Sequence, residues 1–249
     1  MKRLSHYQTR VFNWQRDVAG QPVTTVPNHH DPAFFLKQLS YVRSEWFDEY
    51  LPHSVEYSKA IVENSQALLL GTEITSDEML KIARKIEAIR INLADDIADV
   101  AFTLLGLLNA SGRKVTSQFA GIPTWTSIAS EEMSVSNDIN ELQHGANFLT
   151  EQRVEASLMS LMRIADSIGF SFFDALDAVC DSNDTKLWLK SEIDASADEI
   201  EKRQLKVTKV SGREYRCYRV NGPDMKLIKS PSFTHPILKK AVFGYTMLT

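Results

Sequence analysis

The chain has 249 residues, carries a net charge of −4 and is 43% hydrophobic, which is ordinary for a folded protein and argues against disorder throughout. Its 10 glycines lie no closer together than Gly106 and Gly112, which excludes both the G-x-G of a dinucleotide-binding turn and a Walker A loop. The acidic balance argues against a dedicated nucleic-acid-binding protein. Cys180 and Cys217 cannot form a disulfide framework, and no apolar run has the length of a signal peptide or membrane span, so we expect a cytoplasmic protein.

Helices are predicted for the first part of the chain, where apolar residues recur at intervals of three or four. The pattern covers residues 7–18, a stretch from Pro32 up to Pro52, and residues 55–70 up to Gly71. Proline breaks a helix and glycine commonly ends one, so Pro52 and Gly71 are the expected boundaries.

A long, apolar helix is predicted next. Thr75-Ser-Asp-Glu78 has the form of a capping box, in which the threonine caps the helix and the glutamate reaches back to it. From Ile82 to Leu104 the apolar residues keep one face over about six turns. Gly106 lies inside this helix, and we expect a neighbouring segment to approach it closely.

The second half of the chain is also mostly helical. Residues 124–137 show no clear pattern, but a helical pattern runs from 138 to 168. Ser171 is a candidate N-cap for a helix up to Cys180, and residues 190–206 read as a charged, exposed helix.

The C-terminal segment has a different pattern. Val207–Val210 and Tyr215–Val220 read as two strands around Gly212, and Asn221–Asp224 reads as a second turn. We therefore predict a mainly α protein with a small C-terminal β-hairpin appendage. The predicted parts are an all-α domain over 1–205, with a helical insertion at about 126–160, and a β tail over 206–249 packed on it.

Two groups of carboxylates lie on the predicted helices. Each group has two carboxylates three positions apart, with a third beside them, and residues three apart share a helix face. Helices packed with these faces together would bring four carboxylates to one point, where they repel unless a cation lies among them. A set of oxygen ligands suits Mg²⁺ or Mn²⁺. The groups are Glu45, Asp48 and Glu49, and Asp95, Asp96 and Asp99.

A simpler interpretation of the acidic residues is a solvated helix face paired with arginines, because most helical charges lie at the surface. Against this, the second group lies in an otherwise apolar helix, and buried charges must be paired or bound to metal. The spacing by itself leaves both interpretations open.

Several segments resemble the MazG-like, all-α nucleoside triphosphate pyrophosphohydrolases, which include relatives of phosphoribosyl-ATP pyrophosphohydrolase. The family signature is E-x-x-E on one helix and E-x-x-D on a later one, and this chain has Glu45-Trp-Phe-Asp48 and Asp96-Ile-Ala-Asp99. Three further segments resemble family motifs in the same order. They are Gly20-Gln-Pro-Val23, Ala178–Lys186 with its Ser-Asn and final lysine, and the tail Asn221–Pro231.

The resemblance implies a helical bundle that cleaves a (deoxy)nucleoside triphosphate between its α- and β-phosphates, giving the monophosphate and pyrophosphate. It further implies Mg²⁺, or Mn²⁺, as the cofactor and a homodimer or homotetramer. Net charge and the lack of a long apolar run, rather than the resemblance, lead us to expect no membrane or nucleic-acid partner. The implied roles are metal binding for Glu45, Asp48, Asp96 and Asp99, general base for Glu49 and Asp95, and substrate binding for Asn183, Lys186, Lys226 and Lys229.

The chain departs from the family pattern in three places, one of which is an interval from Glu49 to Asp96 that is longer than in compact members. Ser44 stands where the family has a second glutamate, and the helical stretch of about 126–160 has no counterpart in compact members. The alternatives are the same reaction on phosphoribosyl-ATP or a signalling nucleotide, and a helical protein that binds a nucleotide or partner without turnover. The lysines could also simply be exposed side chains at a helix end and on an edge strand.

Overall fold

The computed structural model describes residues 4–27, 31–69, 75–116, 127–144, 151–221 and 224–244. The prediction of a mainly α protein with a small C-terminal hairpin is confirmed. Two segments, Trp14–Val18 and Ser44–Tyr50, are π-helical. The α-helices are α1 (Leu4–Asn13), α2 (Pro32–Arg43), α3 (Leu51–Leu69), α4 (Ser76–Ala110), α5 (Ile128–Leu142), α6 (Glu151–Ile168), α7 (Phe172–Asp184), α8 (Lys190–Ala195), α9 (Ala197–Lys202) and α10 (Lys239–Phe243).

Side-chain caps set the starts of α4 and of α2, which continues into the π-helical segment Ser44–Tyr50. Thr75 Oγ1 accepts a hydrogen bond from Glu78 N at 3.3 Å, and Thr75 N donates to Glu78 Oε2 at 2.9 Å, so the predicted capping box is formed. Asp31 accepts from Ala33 N at 2.9 Å at the start of α2, where Pro32 occupies the first turn. Such caps satisfy amide groups that have no partner within the helix.

The centre of the protein is the C-terminal two thirds of α4. From Ile89 to Ala110 most of its side chains are buried, and α1, α2, α3, α6, α7 and α10 pack around it. Residues 76–88 of the same helix are largely exposed, and Lys85 among them forms an ion pair of 3.5 Å with Glu63 of α3. The apolar stripe predicted from the spacing is therefore the core of the bundle only in its later turns.

Pro52 does not end a helix as predicted, because the chain continues from α2 through the π-helical segment Ser44–Tyr50 into α3. Leu51 N donates to the carbonyl of Trp46, five residues earlier. A π-helical turn is wider than an α-helical turn, so the chain can pass helically through a residue that lacks an amide hydrogen.

The predicted start of a helix at residue 138 is also wrong, since α5 begins at Ile128. The buried face of α5 includes Glu131, which Arg163 holds at 3.1 Å. Because Glu131 interrupts the apolar residues on the buried face, the helical periodicity of this segment is not visible in the sequence. The predicted helix over 190–206 is divided at Ser196 into α8 and α9 and gives way to a strand at Lys206.

The sheet is antiparallel throughout. Strand β3 pairs with β2 along one edge and with both β1 and β4 along the other. The predicted hairpin around Gly212 is confirmed. Strand β4 corresponds to the edge strand considered as an alternative for Lys226, whereas β1 was not predicted. The predicted helix end at Gly71 and part of the turn 221–224 lie outside the described residues. The strands are β1 (Trp188–Leu189), β2 (Lys206–Ser211), β3 (Glu214–Asn221) and β4 (Asp224–Leu227).

Hydrogen bonds fasten the sheet and the tail to the helices. Arg216 of β3 donates to the carbonyls of Val18 and Asp17 at the end of the first π-helical segment. Gly20 has a φ of +65°, and a Cβ at that position would overlap the Arg216 guanidinium. Ser182 Oγ on α7 donates to the Thr234 carbonyl at 2.7 Å. These hydrogen bonds connect the sheet and the tail to the helical part.

Candidate active site

A cavity of about 560 Å³ opens between the helical bundle and the sheet. Glu45 of the second π-helical segment and Asp99 of α4 line one part of it. Asn183 and Lys186, at the end of α7, line another, and Tyr218 of β3 closes the cavity from the sheet side. The structure thus brings four widely separated parts of the chain to one space, two of them carrying predicted metal ligands.

Burial and mutual repulsion act strongly on Glu45. Burial raises the pKa of Glu45 to about 7, and the negative charge of Glu49 adds to this. Asp96 and Asp95 raise the pKa of Glu45 further, while the ammonium of Lys186 acts in the opposite direction. Charges on two different helices therefore influence one carboxyl, as the predicted convergence requires.

The α4 carboxylates respond in the same way. Burial, followed by Glu45 and then Asp95, raises the pKa of Asp99 well above its usual range. Burial, and then Glu49, raises the pKa of Asp95. We call Glu45, Glu49, Asp95 and Asp99 the acidic group, because the charges of Glu45, Glu49 and Asp95 each raise the pKa of Asp99.

The acidic group has no protein partners within the described residues, where none of its four carboxylates makes a hydrogen bond or an ion pair shorter than 4 Å. Asp95 Oδ1 is moreover completely buried without a hydrogen-bond donor. A buried carboxylate without a partner is unfavourable. The donor set, oxygen only and unneutralised, therefore fits a hard divalent cation.

The described residues contain no group of three His, Cys, Asp or Glu side chains already close enough together to hold a metal ion. Like charges that lack a neutralising cation repel one another. A cation would therefore have to draw these side chains together. The acidic group has oxygen ligands of the right kind, but they do not yet lie close enough together to coordinate one ion.

Asp96 and His53 form a pair beside the acidic group. Asp96 is 5% exposed, and its Oδ2 lies 2.6 Å from His53 Nδ1. Burial raises the pKa of Asp96 to about 6, although the hydrogen bond and charge of His53 lower it. Asp96, a predicted metal ligand, therefore already has a partner, and His53 is a neighbour that the sequence reasoning missed.

The structure places Asp48 apart from the acidic group. Asp48 is exposed and accepts a hydrogen bond of 3.1 Å from Ser44 Oγ. The predicted pairing of Glu45 with Asp48 assumed an α-helix, but this segment is π-helical. Since its hydrogen bonds span five residues, side chains four apart share a face better than those three apart. This geometry places Glu49 beside Glu45.

The predicted substrate-binding residues differ in their burial and in the residues they contact. Lys186 is half-buried, and its Nζ lies 5.5 Å from the centre of the Trp14 ring. Asn183 is buried, and its carbonyl accepts from Trp14 Nε1 at 3.0 Å. Lys229 is exposed over the Phe233 ring, yet its charge lowers the pKa of Asp95. The side chain of Lys226 lies outside the described part of the structure.

Sequence reasoning also missed a row of buried amides beside the cavity. Gln15 Nε2 donates to Gln38 Oε1 at 3.3 Å and to the Gly106 carbonyl at 3.2 Å. A Cβ on Gly106 would lie 2.9 Å from Gln15 Nε2, which confirms the predicted close approach at this glycine. The available signal was a glutamine on the apolar face of each neighbouring helical segment.

Comparisons of the chain with protein-family models, with curated proteins and with solved structures found no match. Among the described helices, none is long and apolar enough to cross a membrane.

Proposed function

We propose that the protein is a Mg²⁺-dependent nucleotide pyrophosphohydrolase that cleaves between the α- and β-phosphates of a (deoxy)nucleoside triphosphate. The observation that carries this proposal is the acidic group, which has no protein partners among the described residues and of which Glu45 and Asp99 line the same cavity as Lys186. A triphosphate is polyanionic and can enter such a site only together with cations. The motif resemblance supports the same reaction.

Three members of the acidic group would hold the cation. Glu45 and Asp99 line the cavity, and Asp95 has a buried oxygen without a partner. When bound, Mg²⁺ neutralises phosphate oxygens and lowers the pKa of a water molecule. Glu49, the exposed member, would take the proton of the attacking water as general base.

Lys186 would bind the substrate phosphates as a point charge. Burial lowers the pKa of Lys186, while Asp99 and Glu45 raise it. The carboxylates therefore favour the charged ammonium that a phosphate ligand requires. The contact of Lys186 with the Trp14 ring keeps the ammonium beside the cavity.

The test is release of pyrophosphate from a panel of common nucleoside and deoxynucleoside triphosphates with Mg²⁺. Asp99→Asn should lower turnover by at least about 100-fold, because it removes charge from the acidic group. Asp166→Asn, at an exposed aspartate of α6, is the matched control and should leave turnover unchanged. If the wild type turns over no substrate faster than the Asp99→Asn variant does, the proposal is wrong.

A second experiment separates the two arrangements of the first motif. If the π-helical face governs metal binding and proton transfer, Glu49→Gln should lower kcat much more than Asp48→Asn. The reverse order would restore the α-helical pairing of Glu45 with Asp48 that the motif predicts.

A nucleotide-binding protein without turnover is the second candidate, favoured by the absence of a closed metal group among the described residues. It predicts tight nucleotide binding by calorimetry beside a silent pyrophosphate assay. Including phosphoribosyl-ATP and signalling nucleotides in the panel covers the alternative substrates.

A further inference from the structure

The buried amides beside the cavity form a row of hydrogen bonds. Backbone carbonyls at the end of the row farthest from the cavity fix which side of each amide donates. Asn109 Nδ2 donates to the Gln8 carbonyl at 3.3 Å and to Gln15 Oε1 at 3.1 Å. Gln15 Nε2 donates to the Gly106 carbonyl. Backbone carbonyls only accept hydrogen bonds, so they force the amino sides of Asn109 and Gln15 toward them.

The orientation of each amide fixes the orientation of the next one toward the cavity, because each amino group needs a carbonyl oxygen as its acceptor. The second hydrogen of Gln15 Nε2 goes to Gln38 Oε1, which turns the amino side of Gln38 outward. Gln38 Nε2 then donates to Gln21 Oε1 at 3.4 Å. Among the described residues no acceptor receives a hydrogen bond from Gln21 Nε2, and Gln21 lines the cavity. We call Asn109, Gln15, Gln38 and Gln21 the amide row, and it ends in donors.

The amide row is rigid and well buried. Gln15 is 1% exposed and Gln38 is 4% exposed, yet both line the cavity. The absence of a side chain at Gly106 leaves the space that these two amides occupy. Rotating either amide would leave a buried donor facing a donor, which costs about 1–3 kcal/mol for each unsatisfied group.

The amide row lies at a suitable distance from the acidic group. Gly106 follows Asp99 by seven residues on α4, which is two helical turns or about 10 Å. Phe102 and Thr103 line the cavity between them. This separation is comparable to that between the α-phosphate and the far edge of the base in one nucleotide, and the Tyr218 ring lines the same cavity as a surface for stacking.

We propose that the amide row recognises the carbonyl edge of a keto-type nucleobase, namely uracil, thymine, guanine or hypoxanthine. This proposal rests on the proposed function for the placement of the phosphates at the acidic group. Donors on Gln21 and Gln38 match the lone pairs of an exocyclic oxygen. The amino group of cytosine or adenine would instead place donors against donors and leave them unsatisfied.

Binding of nucleoside monophosphates tests the proposal without requiring turnover. Calorimetric titration in Mg²⁺ should show UMP binding at least about 10-fold more tightly than CMP, and IMP more tightly than AMP by a similar factor. Each pair differs only in the exocyclic group and in whether the adjacent ring nitrogen carries a hydrogen, so stacking and phosphate contacts are matched. Equal affinities, a preference for the amino bases, or no binding of any of the four would overturn the proposal.

A variant tests the residue at the end of the row. Gln21→Glu replaces the terminal donor with an acceptor and should abolish or reverse the keto preference. Gln143→Glu adds the same charge at an exposed glutamine outside the cavity and should keep the preference. An unchanged keto-to-amino ratio in Gln21→Glu would exclude Gln21 as the recognising residue.

The outcomes separate the two proposals. If the protein binds keto bases selectively but releases no pyrophosphate, the base-recognition proposal stands and the hydrolase proposal is wrong. Turnover of all bases at equal kcat/KM, with equal monophosphate affinities, retains the hydrolase and removes base recognition.

Discussion

The Nε atom of Arg216, on β3, donates a hydrogen bond of 2.8 Å to the carbonyl oxygen of Val18, at the end of the first π-helical segment. The same guanidinium donates to the Asp17 carbonyl at 3.0 Å. A single side chain thereby satisfies carbonyls at a helix end and holds the sheet over the cavity. The cavity is closed on this side by a contact between residues nearly two hundred positions apart.

Replacing Arg216 should loosen the sheet without unfolding the protein. Arg216→Ala removes two charge-assisted hydrogen bonds, worth about 1.5–3 kcal/mol each. We expect the KM for nucleotide to rise at least about 10-fold with a smaller change in kcat. Arg219→Ala, at an exposed arginine of the same strand, is the control. An equal effect in both variants would show that the contact does not position the sheet.

Gly106→Ala should destabilise the protein although alanine favours helices over glycine by about 1 kcal/mol. The added methyl would lie 2.9 Å from Gln15 Nε2 and 3.0 Å from Gln38 Oε1, both buried. We expect a net loss of about 1–3 kcal/mol in the free energy of unfolding, measured by urea denaturation. A gain in stability would mean that the amides are free to move and that the amide row is not rigid.

The acidic group makes the stability of the metal-free protein depend on pH. Because the pKa of Glu45 is raised to about 7 and that of Asp99 is also raised, the folded protein binds these protons more tightly than the unfolded chain. Stability contributed by these groups is present below about pH 4 and is lost as the pH rises toward 7.

Thermal unfolding in EDTA at pH 5 and pH 8 measures this dependence. Asp99→Asn should unfold at a higher temperature than the wild type at pH 8, with the difference shrinking at pH 5. Adding Mg²⁺ at pH 8 should raise the Tm of the wild type more than that of the variant. A variant less stable than the wild type at pH 8 would contradict the account of unneutralised charges.

The predicted homo-oligomer has a candidate surface where α3 and the start of α4 leave apolar side chains exposed. Val55 and Val62 are 53% and 52% exposed, and Met79 and Leu80 are nearly as open. We expect Val62→Glu to shift sedimentation toward the monomer, since it places a charge within the apolar patch. Met133→Glu, at an exposed methionine of α5, should leave the sedimentation of the protein unchanged. A monomeric wild type would refute the oligomer.

Local signals predicted most of the fold. The capping box at Thr75, the proline after Asp31 and the hairpin around Gly212 each act over a few residues, so the sequence shows them directly. Where a tertiary partner changed the local rule, prediction failed. The π-helical turn before Pro52 and the Arg163 partner of Glu131 are two such places.

For the site, the residue types could be recognised in advance: carboxylates on two helical segments, a lysine after α7 and few glycines. Which of these residues act together depends on the packing of the chain. In the folded protein Glu49 rather than Asp48 acts on Glu45, Asp96 pairs with His53, and Gln21 lines the cavity. Residue spacing does not encode these relationships, because helix pitch, burial and hydrogen-bond polarity depend on contacts between segments far apart in the chain.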